Sequence, residues 1–491
     1  MKNTIKLLVL LVAIGLFTAC EDWLDVNTDP NNPTEITPDL VLPVAQYYTV
    51  QVLQDDRRMN SIGNLMMANW SQAKGYSWYW DEFKYLVNSS FYTRIFEYSY
   101  SRSLKQYQLL YELGEGYEYY QAIGAIMRAF HFQLLVDFYG DIPYTEALGR
   151  KYEATPVYDN AQVIYEDLIT ELTNAITSIK GADKSGQIIA PDDDDAMFGG
   201  DMDKWIQFAN TLKIRILTRQ SDMAGRSSYI TSEIAVIDAE GSGFITGNVA
   251  IDPGWDAETP GKMNIFWEAL CKDASGAYIS SYKATCASDF VIDYLKTTLD
   301  PRIDYIYERP AGGHAGVPQG TLDQTDDYLP ENVSNIGSGI FQSADQPAII
   351  FTVAEDRLNR AELAVKALTS ENAKTLYEAG VTASFMTLGL GAGDAIVYLS
   401  KAFNNVNWES SANKVEAIIT QKWIATNGLT AEQAWFDYNR TGYPTGVPVP
   451  LNQSYTERPV RLAYPASEYT SNGDNVPTQP DVFSEKIFWA Q

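Results

Sequence analysis

The sequence predicts an all-α body, and three observations carry that reading. Apolar residues recur at helical spacing in segment after segment. Helix stop and start signals follow those stripes closely. The chain is also rich enough in apolar residues, 45% of 491, to bury a sizeable core. Consecutive amphipathic helices joined by short turns predict antiparallel helix pairs stacked on one another.

In chain order, the first clear stripe is Ile164, Leu168, Leu172, Ala175, Ile176 and Ile179, opened by Asp159 and stopped at Gly181. Trp205, Phe208, Ala209, Leu212 and Ile216 form the second. Ile350, Val353, Ala354, Leu358, Ala361, Val365 and Leu368 form the third. Val415, Ile418, Ile419 and Trp423 form the fourth, closed by Asn427-Gly428. Thr430 and Gln433 then predict a capping box for the next helix. Two stretches, roughly 240–283 and 309–346, lack helical periodicity, and long loops in a folded body are commonly functional or disordered. No fixed repeat period is legible, although a divergent helical-hairpin solenoid fits the pattern.

The N-terminus reads as an export signal. Lys2 and Lys6 precede the apolar run Leu7 to Phe17, which is shorter than the about 20 residues of a membrane-spanning helix. Leu16-Phe17-Thr18-Ala19-Cys20 is similar to a bacterial lipobox, with Phe17 where Leu is usual. Cys20 is therefore expected to be acylated, and a lone Cys at that place in an exported chain asks for such a reason. The organisation that follows is a signal peptide over 1–19, a lipid anchor and flexible tether over 20–38, and one globular body over 39–491. The tether is rich in Asp, Asn and Pro, with little to bury.

The formal charge is −27, with 63 acidic residues against 36 basic ones. That excludes nucleic acid, which is bound through clustered Lys and Arg, and disfavours attraction to an anionic membrane. An uncharged ligand such as a neutral carbohydrate suits the net charge better. Cys271 and Cys286 could form one disulfide or remain two buried thiols, and spacing leaves both readings open.

Chemistry-bearing motifs are sparse. Only His131 and His314 occur, and no Gly-x-Ser-x-Gly elbow accompanies them. His131 lies in an apolar run and reads as structural, whereas His314 lies in a Gly-rich loop. No Cys/His group has zinc spacing. The run Asp192 to Asp195 lacks the spaced ligands of a calcium loop and reads as a solvated charge run. Gly389, Gly391 and Gly393 read as a helix-to-helix turn, since a dinucleotide loop must follow a strand. No catalytic residue, metal or cofactor is expected.

A sugar ring offers apolar C–H faces and polar edges, which flat aromatic rings and amides or carboxylates match. Residues 70–81 fit that description: Trp70, Tyr76, Trp78, Tyr79 and Trp80 stand among Ser, Gln, Lys and Gly. They form the first candidate ligand-binding set. Trp255, Trp267 and Tyr278, in the irregular stretch and beside Tyr282, form the second. Arg57 and Arg58 read as helix-surface residues, with donation to sugar edges as the alternative.

Several motifs, in one order over nearly the whole chain, carry a family resemblance. They are Asp25-Val26-Asn27-Thr28-Asp29-Pro30-Asn31-Asn32-Pro33 and Leu135-Val136-Asp137-Phe138-Tyr139-Gly140-Asp141-Ile142-Pro143-Tyr144, then Gly199-Gly200-Asp201 with Trp205 to Arg215. Ala354 to Glu362, Gln421 to Ala425, Ala434 to Pro444 and Arg461-Leu462-Ala463-Tyr464-Pro465 complete the set. On these the chain resembles the SusD/RagB family of Bacteroidetes outer-membrane lipoproteins, in its SusD-like branch. Ala463 departs from the Pro frequent in the last motif. The resemblance implies about four helical hairpins of tetratricopeptide type with an irregular, loop-rich ligand-binding part. It implies ligand-contacting aromatics in the early region. It also implies a lipid-anchored protein on the cell exterior, lid to a TonB-dependent, SusC-like outer-membrane transporter. Such a lid captures an oligosaccharide or, in some members, a peptide. A glycan-capturing lid is the leading expectation; a peptide-capturing lid and an envelope glycoside hydrolase using an acid pair are the alternatives.

Overall fold

The computed structural model describes residues 37–149, 155–182, 188–322 and 325–490. The expected signal peptide, Cys20 and nearly all of the tether lie outside the described residues, as does the motif at Asp25 to Pro33.

The body is mostly helical. Glu118–Tyr139 is its central helix, and apolar residues surround it on every side, from Ala122 and Ile123 to Val136 and Phe138. A helix apolar all round belongs in the interior, and nearly all of its residues are buried. It packs against Lys105–Tyr111 and Ala161–Gly181, and the latter packs against Met202–Arg219. In the second half, Val353–Val365 packs against Ala373–Thr387, Lys414–Thr426 and Met202–Arg219. One contiguous apolar cluster runs through all of these, from Leu42 to Ala490.

Side-chain caps set the helix starts. Asn160 accepts from the N–H of Gln162 and Val163, Asp201 from Lys204, Thr352 from Glu355, Asn372 from Thr375, and Asn413 from Val415 and Glu416. Each satisfies backbone donors that the first helical turn leaves open. Three local expectations are corrected. The cap of Ala161–Gly181 is Asn160 rather than Asp159. Ile350 belongs to the strand Ala348–Phe351, so the third stripe begins only at Val353. Thr430 and Gln433 make no capping box: the helix Glu432–Thr441 starts after Ala431, and the Thr430 hydroxyl is buried without a partner.

Three antiparallel two-stranded pairs complete the fold: Trp70–Gln72 with Thr285–Ala287, Ile142–Pro143 with Tyr158–Asp159, and Val249–Ile251 with Ala348–Phe351. Two lie inside or beside the stretches that lack helical periodicity. Among the described residues, no helix is long and apolar enough to cross a membrane.

The motifs meet in a buried ion network. Asp437 accepts from Arg219 at 2.8 Å and from Lys422 at 2.7 Å. Glu362 accepts from Arg440 at 2.8 Å and from Lys366 at 2.7 Å. Asp137 accepts the Trp489 indole N–H at 2.9 Å. Arg219 also pairs with Asp137 at 3.5 Å, so charges join five helices, and all but Lys366 have almost no exposure. After burial is offset, the facing cations hold the Glu362 carboxyl down at about 2 and the Asp437 carboxyl well below the usual carboxylate range. Gly140 ends the central helix with φ +78°, and the Arg461 guanidinium packs tightly, 3.3 Å from where a β-carbon would sit, and donates to the Tyr139 carbonyl.

Candidate ligand-binding site

The strand Trp70–Gln72 anchors the aromatic segment through its register with Thr285–Ala287. Gln72 then closes the loop that follows. Its amide N–H₂ donates to the Tyr76 carbonyl at 2.6 Å, and its amide oxygen accepts the Tyr79 N–H at 2.9 Å. Arg57 donates to the Trp78 carbonyl at 2.8 Å. With both ends tied, the short helix Trp80–Phe83 begins at a fixed place.

The five aromatic rings of this segment part company. Trp70 is fully buried and stacks on Phe266 at 6.4 Å. Tyr79 is buried too, and its hydroxyl shares a 2.6 Å hydrogen bond with Thr285. Both therefore belong to the core, which corrects their placement among ligand-facing residues. The physical reason is the strand pairing, which drives Trp70 inward, and the Gln72 clamp, which pulls Tyr79 after it. Trp78 is half-buried against the core, and its indole N–H is buried without a partner among the described residues. Tyr76 is half-buried, and Trp80 stays 50% exposed, with the Lys84 ammonium 4.1 Å from its ring centroid.

Tyr76 and Trp80 come together on a cleft of about 430 Å³, with Gln72, Ser77, Thr321 and Asn452 as its polar lining and Phe83 and Leu322 as further apolar lining. The cleft thus offers two aromatic rings and a set of amides and hydroxyls. That is the pairing of flat apolar face and polar edge that a sugar ring presents. On the other side of the same segment lies a smaller cleft of about 280 Å³, lined by Asp56, Arg57, Arg58, Asp81 and residues 90–94. Beneath it the Tyr92 hydroxyl donates to Glu82 at 3.0 Å, and burial pushes the Glu82 carboxyl above its ordinary value.

The second candidate set is split. Tyr278 is 39% exposed, stacks on Tyr282 at 4.3 Å and has the Lys272 ammonium 4.4 Å from its ring. Trp267 shares that ammonium at 5.9 Å and meets Phe341 edge-on. Trp255 is half-buried elsewhere, against Tyr47 at 5.9 Å. None of the three lines the cleft that holds Trp80.

The remaining motifs resolve into structure. His131 is buried beside Thr49, 3.0 Å from its hydroxyl, and burial drives its imidazole down to about 3, so it is neutral at physiological pH. His314 is buried between Ser334 and Asp304, at 3.1 and 2.8 Å. Asp195 is no part of a solvated run. It is buried and accepts from Gln46, the Trp205 indole and the backbone of Met197 and Gly200. Cys271 and Cys286 are free buried thiols, and burial pushes Cys271 up to about 12.

An acid pair does exist. Asp167 and Glu171 face a groove of about 630 Å³ between the helices Glu118–Tyr139 and Ala161–Gly181. Both carboxylates accept the one Tyr144 hydroxyl, at 2.7 and 3.3 Å, so they sit on one wall. Glycoside cleavage needs two carboxyls free to flank the bond, whereas Glu171 here already accepts from both Arg128 and Tyr144.

The comparisons with known proteins point to one family. A family model described as SusD-like, starch-binding and associating with the outer membrane matches residues 30–465. Among solved structures, the chain is similar to a chitin-binding protein, at 21% identity and a TM-score of 0.77, over 93% of this chain and 100% of that one. It is similar to a chitin-binding SusD homologue from Flavobacterium johnsoniae, at 22% identity and a TM-score of 0.76, over 92% and 98% of the two chains. A SusD homologue from Bacteroides uniformis gives 22% identity and a TM-score of 0.73, over 92% and 99%. No curated protein matches.

Proposed function

The chain belongs to the SusD-like family, and from that premise we propose that it is a non-catalytic surface lipoprotein that captures a nutrient glycan. It hands that glycan to a TonB-dependent, SusC-like outer-membrane transporter. The observation that carries the glycan reading is the cleft where Trp80 and Tyr76 stand beside Gln72, Ser77, Thr321 and Asn452. Trp80 is half exposed at the start of the short helix that follows the pinned loop, so its ring is held ready before any ligand arrives. Preorganisation of this kind lowers the ordering cost of binding. Solved structures of this fold that are described as chitin-binding support the same ligand class.

The test is a calorimetric screen of polysaccharides and peptides against the pure protein, with each glycan recovered and inspected for cleavage. The reading predicts binding of a glycan with no cleavage. Binding of peptides alone would favour a peptide-capturing lid, and cleavage would establish the hydrolase. The anchor and partner have their own tests. Cys20→Ser should move the protein from the membrane to the soluble fraction. Protease added to whole cells should remove the parent protein, and mild detergent should bring the transporter down with it.

A further inference from the structure

The chain holds 63 acidic residues and 36 basic ones, so its arginines have an ample choice of partners. Among the described residues, most arginines are paired with a carboxylate. Arg458 and Arg461 are not, but both are buried and donate to backbone carbonyls. Arg57, Arg94 and Arg102 also form no salt bridge, and all three lie in one corner, although after burial is offset Glu82, Asp56 and Asp81 favour the Arg57 charge from nearby. Arg94 and Arg102 stand over the Tyr98 ring, at 5.7 and 3.7 Å from its centroid, and Arg58 stands over it at 5.0 Å. Arg57 and Arg94 are exposed and line the 280 Å³ cleft behind Trp78, with Ser90 and Thr93 beside them.

The backbone there is held in an unusual state. Arg57 and Tyr92 both line the cleft, and both adopt left-handed conformations, φ +53° and +52°, that side chains disfavour. Such conformations persist where the surroundings enforce them, and they gather at ligand sites. Two acids share the cleft. Asp56 is partly buried, and burial pushes its carboxyl above the ordinary value. Asp81 is exposed, and neither carboxylate reaches salt-bridge distance of Arg57 or Arg94, although both favour the Arg57 charge. The net charge of −27 does not settle the matter, because charges beyond about 8 Å are screened at physiological salt.

We propose that this cleft takes an oxyanion carried by the glycan, a carboxylate or a sulfate ester, bound between the Arg57 and Arg94 guanidiniums. The inference rests on the reading of this corner as a glycan site. Guanidinium forks match planar oxyanions in geometry as well as charge. The two clefts are neighbours, since Trp80 lines one and the next residue, Asp81, lines the other. A neutral sugar on Trp80 and an acidic sugar beyond it would then belong to one chain.

The test titrates the full protein with oligogalacturonides and with their methyl esters, which keep the backbone and lose the charge. Sulfated galactan oligosaccharides and their desulfated forms make the second arm, and neutral glucan and chitin oligosaccharides make the third. One acidic class should bind at least about tenfold more tightly than its neutral counterpart. That advantage should shrink in about 0.5 M salt and disappear in Arg94→Gln, whose melting temperature should stay near the parent's. The acidic arm that binds tells carboxylate from sulfate. Binding of neutral glycans alone, or an unchanged acidic affinity in Arg94→Gln, would overturn the inference and leave the glycan reading standing. Binding of no glycan in any arm would overturn both.

Discussion

Arg440 and Arg94 carry the same guanidinium in opposite settings. Arg440 lies in the helical body, fully buried, and faces Glu362, Asp222 and Asp437. Arg94 lies at the aromatic corner, exposed, over a tyrosine ring and without a carboxylate. Tryptophans divide in the same way. Trp70 and Trp435 are sealed in the core, whereas Trp80 stands half in solvent. The body pairs its buried charges with one another, and the corner leaves two exposed guanidiniums without a salt bridge. Internal pairing holds helices together, and open capacity is what a ligand can use.

The sharpest way to break this comparison is to unpair the body. Arg440→Leu leaves Glu362 and Asp437 buried without one of their cations, and uncompensated buried charge costs about 3–5 kcal/mol. The melting temperature should fall steeply. An unchanged transition would mean that the network contributes nothing and that the contrast with the corner is empty. Trp70→Ala should cost a similar amount, about 3–5 kcal/mol for an emptied core site, although it stands in the same segment as Trp80. Calorimetry on Trp70→Ala therefore separates core from corner within a few residues.

Among the acids of the body that burial holds against their preference is Glu432. Burial raises the Glu432 carboxyl to about 7, with Glu355 nearby adding to the shift. A carboxyl that binds its proton more tightly when folded stabilises the fold fully below its unfolded value, and that stability is lost as pH rises through about 7. The loss should amount to on the order of 3 kcal/mol. Glu432→Gln, which cannot ionise, should melt close to the parent near pH 4 and above it near pH 8. A constant gap between the two across that range would contradict the assignment.

Much of the body was legible from the sequence because its signals are local. The stripe from Ile164 to Ile179 spells out a helix face, and the helix found there runs Ala161–Gly181. The corner was only partly legible because its determinants are remote in sequence. Trp70 reads like Trp80 until the strand at Thr285–Ala287 pairs with it, and three residues are too few to show an alternation. Tyr79 is drawn inward by Gln72 and Thr285. Asp195 looks like its three acidic neighbours, yet Gln46 and Trp205 reach it from elsewhere in the chain. The arginines without a salt bridge were hidden by averaging, since a net charge says nothing of which cations pair directly. What could have raised them is the adjacent pair Arg57-Arg58 so close to the aromatic run.

The central claim is that the Trp80 ring serves the ligand and not the fold. Titrating Trp80→Ala with the glycan that the parent binds, alongside its thermal transition, tests that claim most directly. Truncating a binding hot spot costs about 2 kcal/mol or more, close to thirtyfold in affinity. The account predicts at least that loss, with a melting temperature near the parent's. A steep fall in melting temperature, or an affinity equal to the parent's, would contradict it.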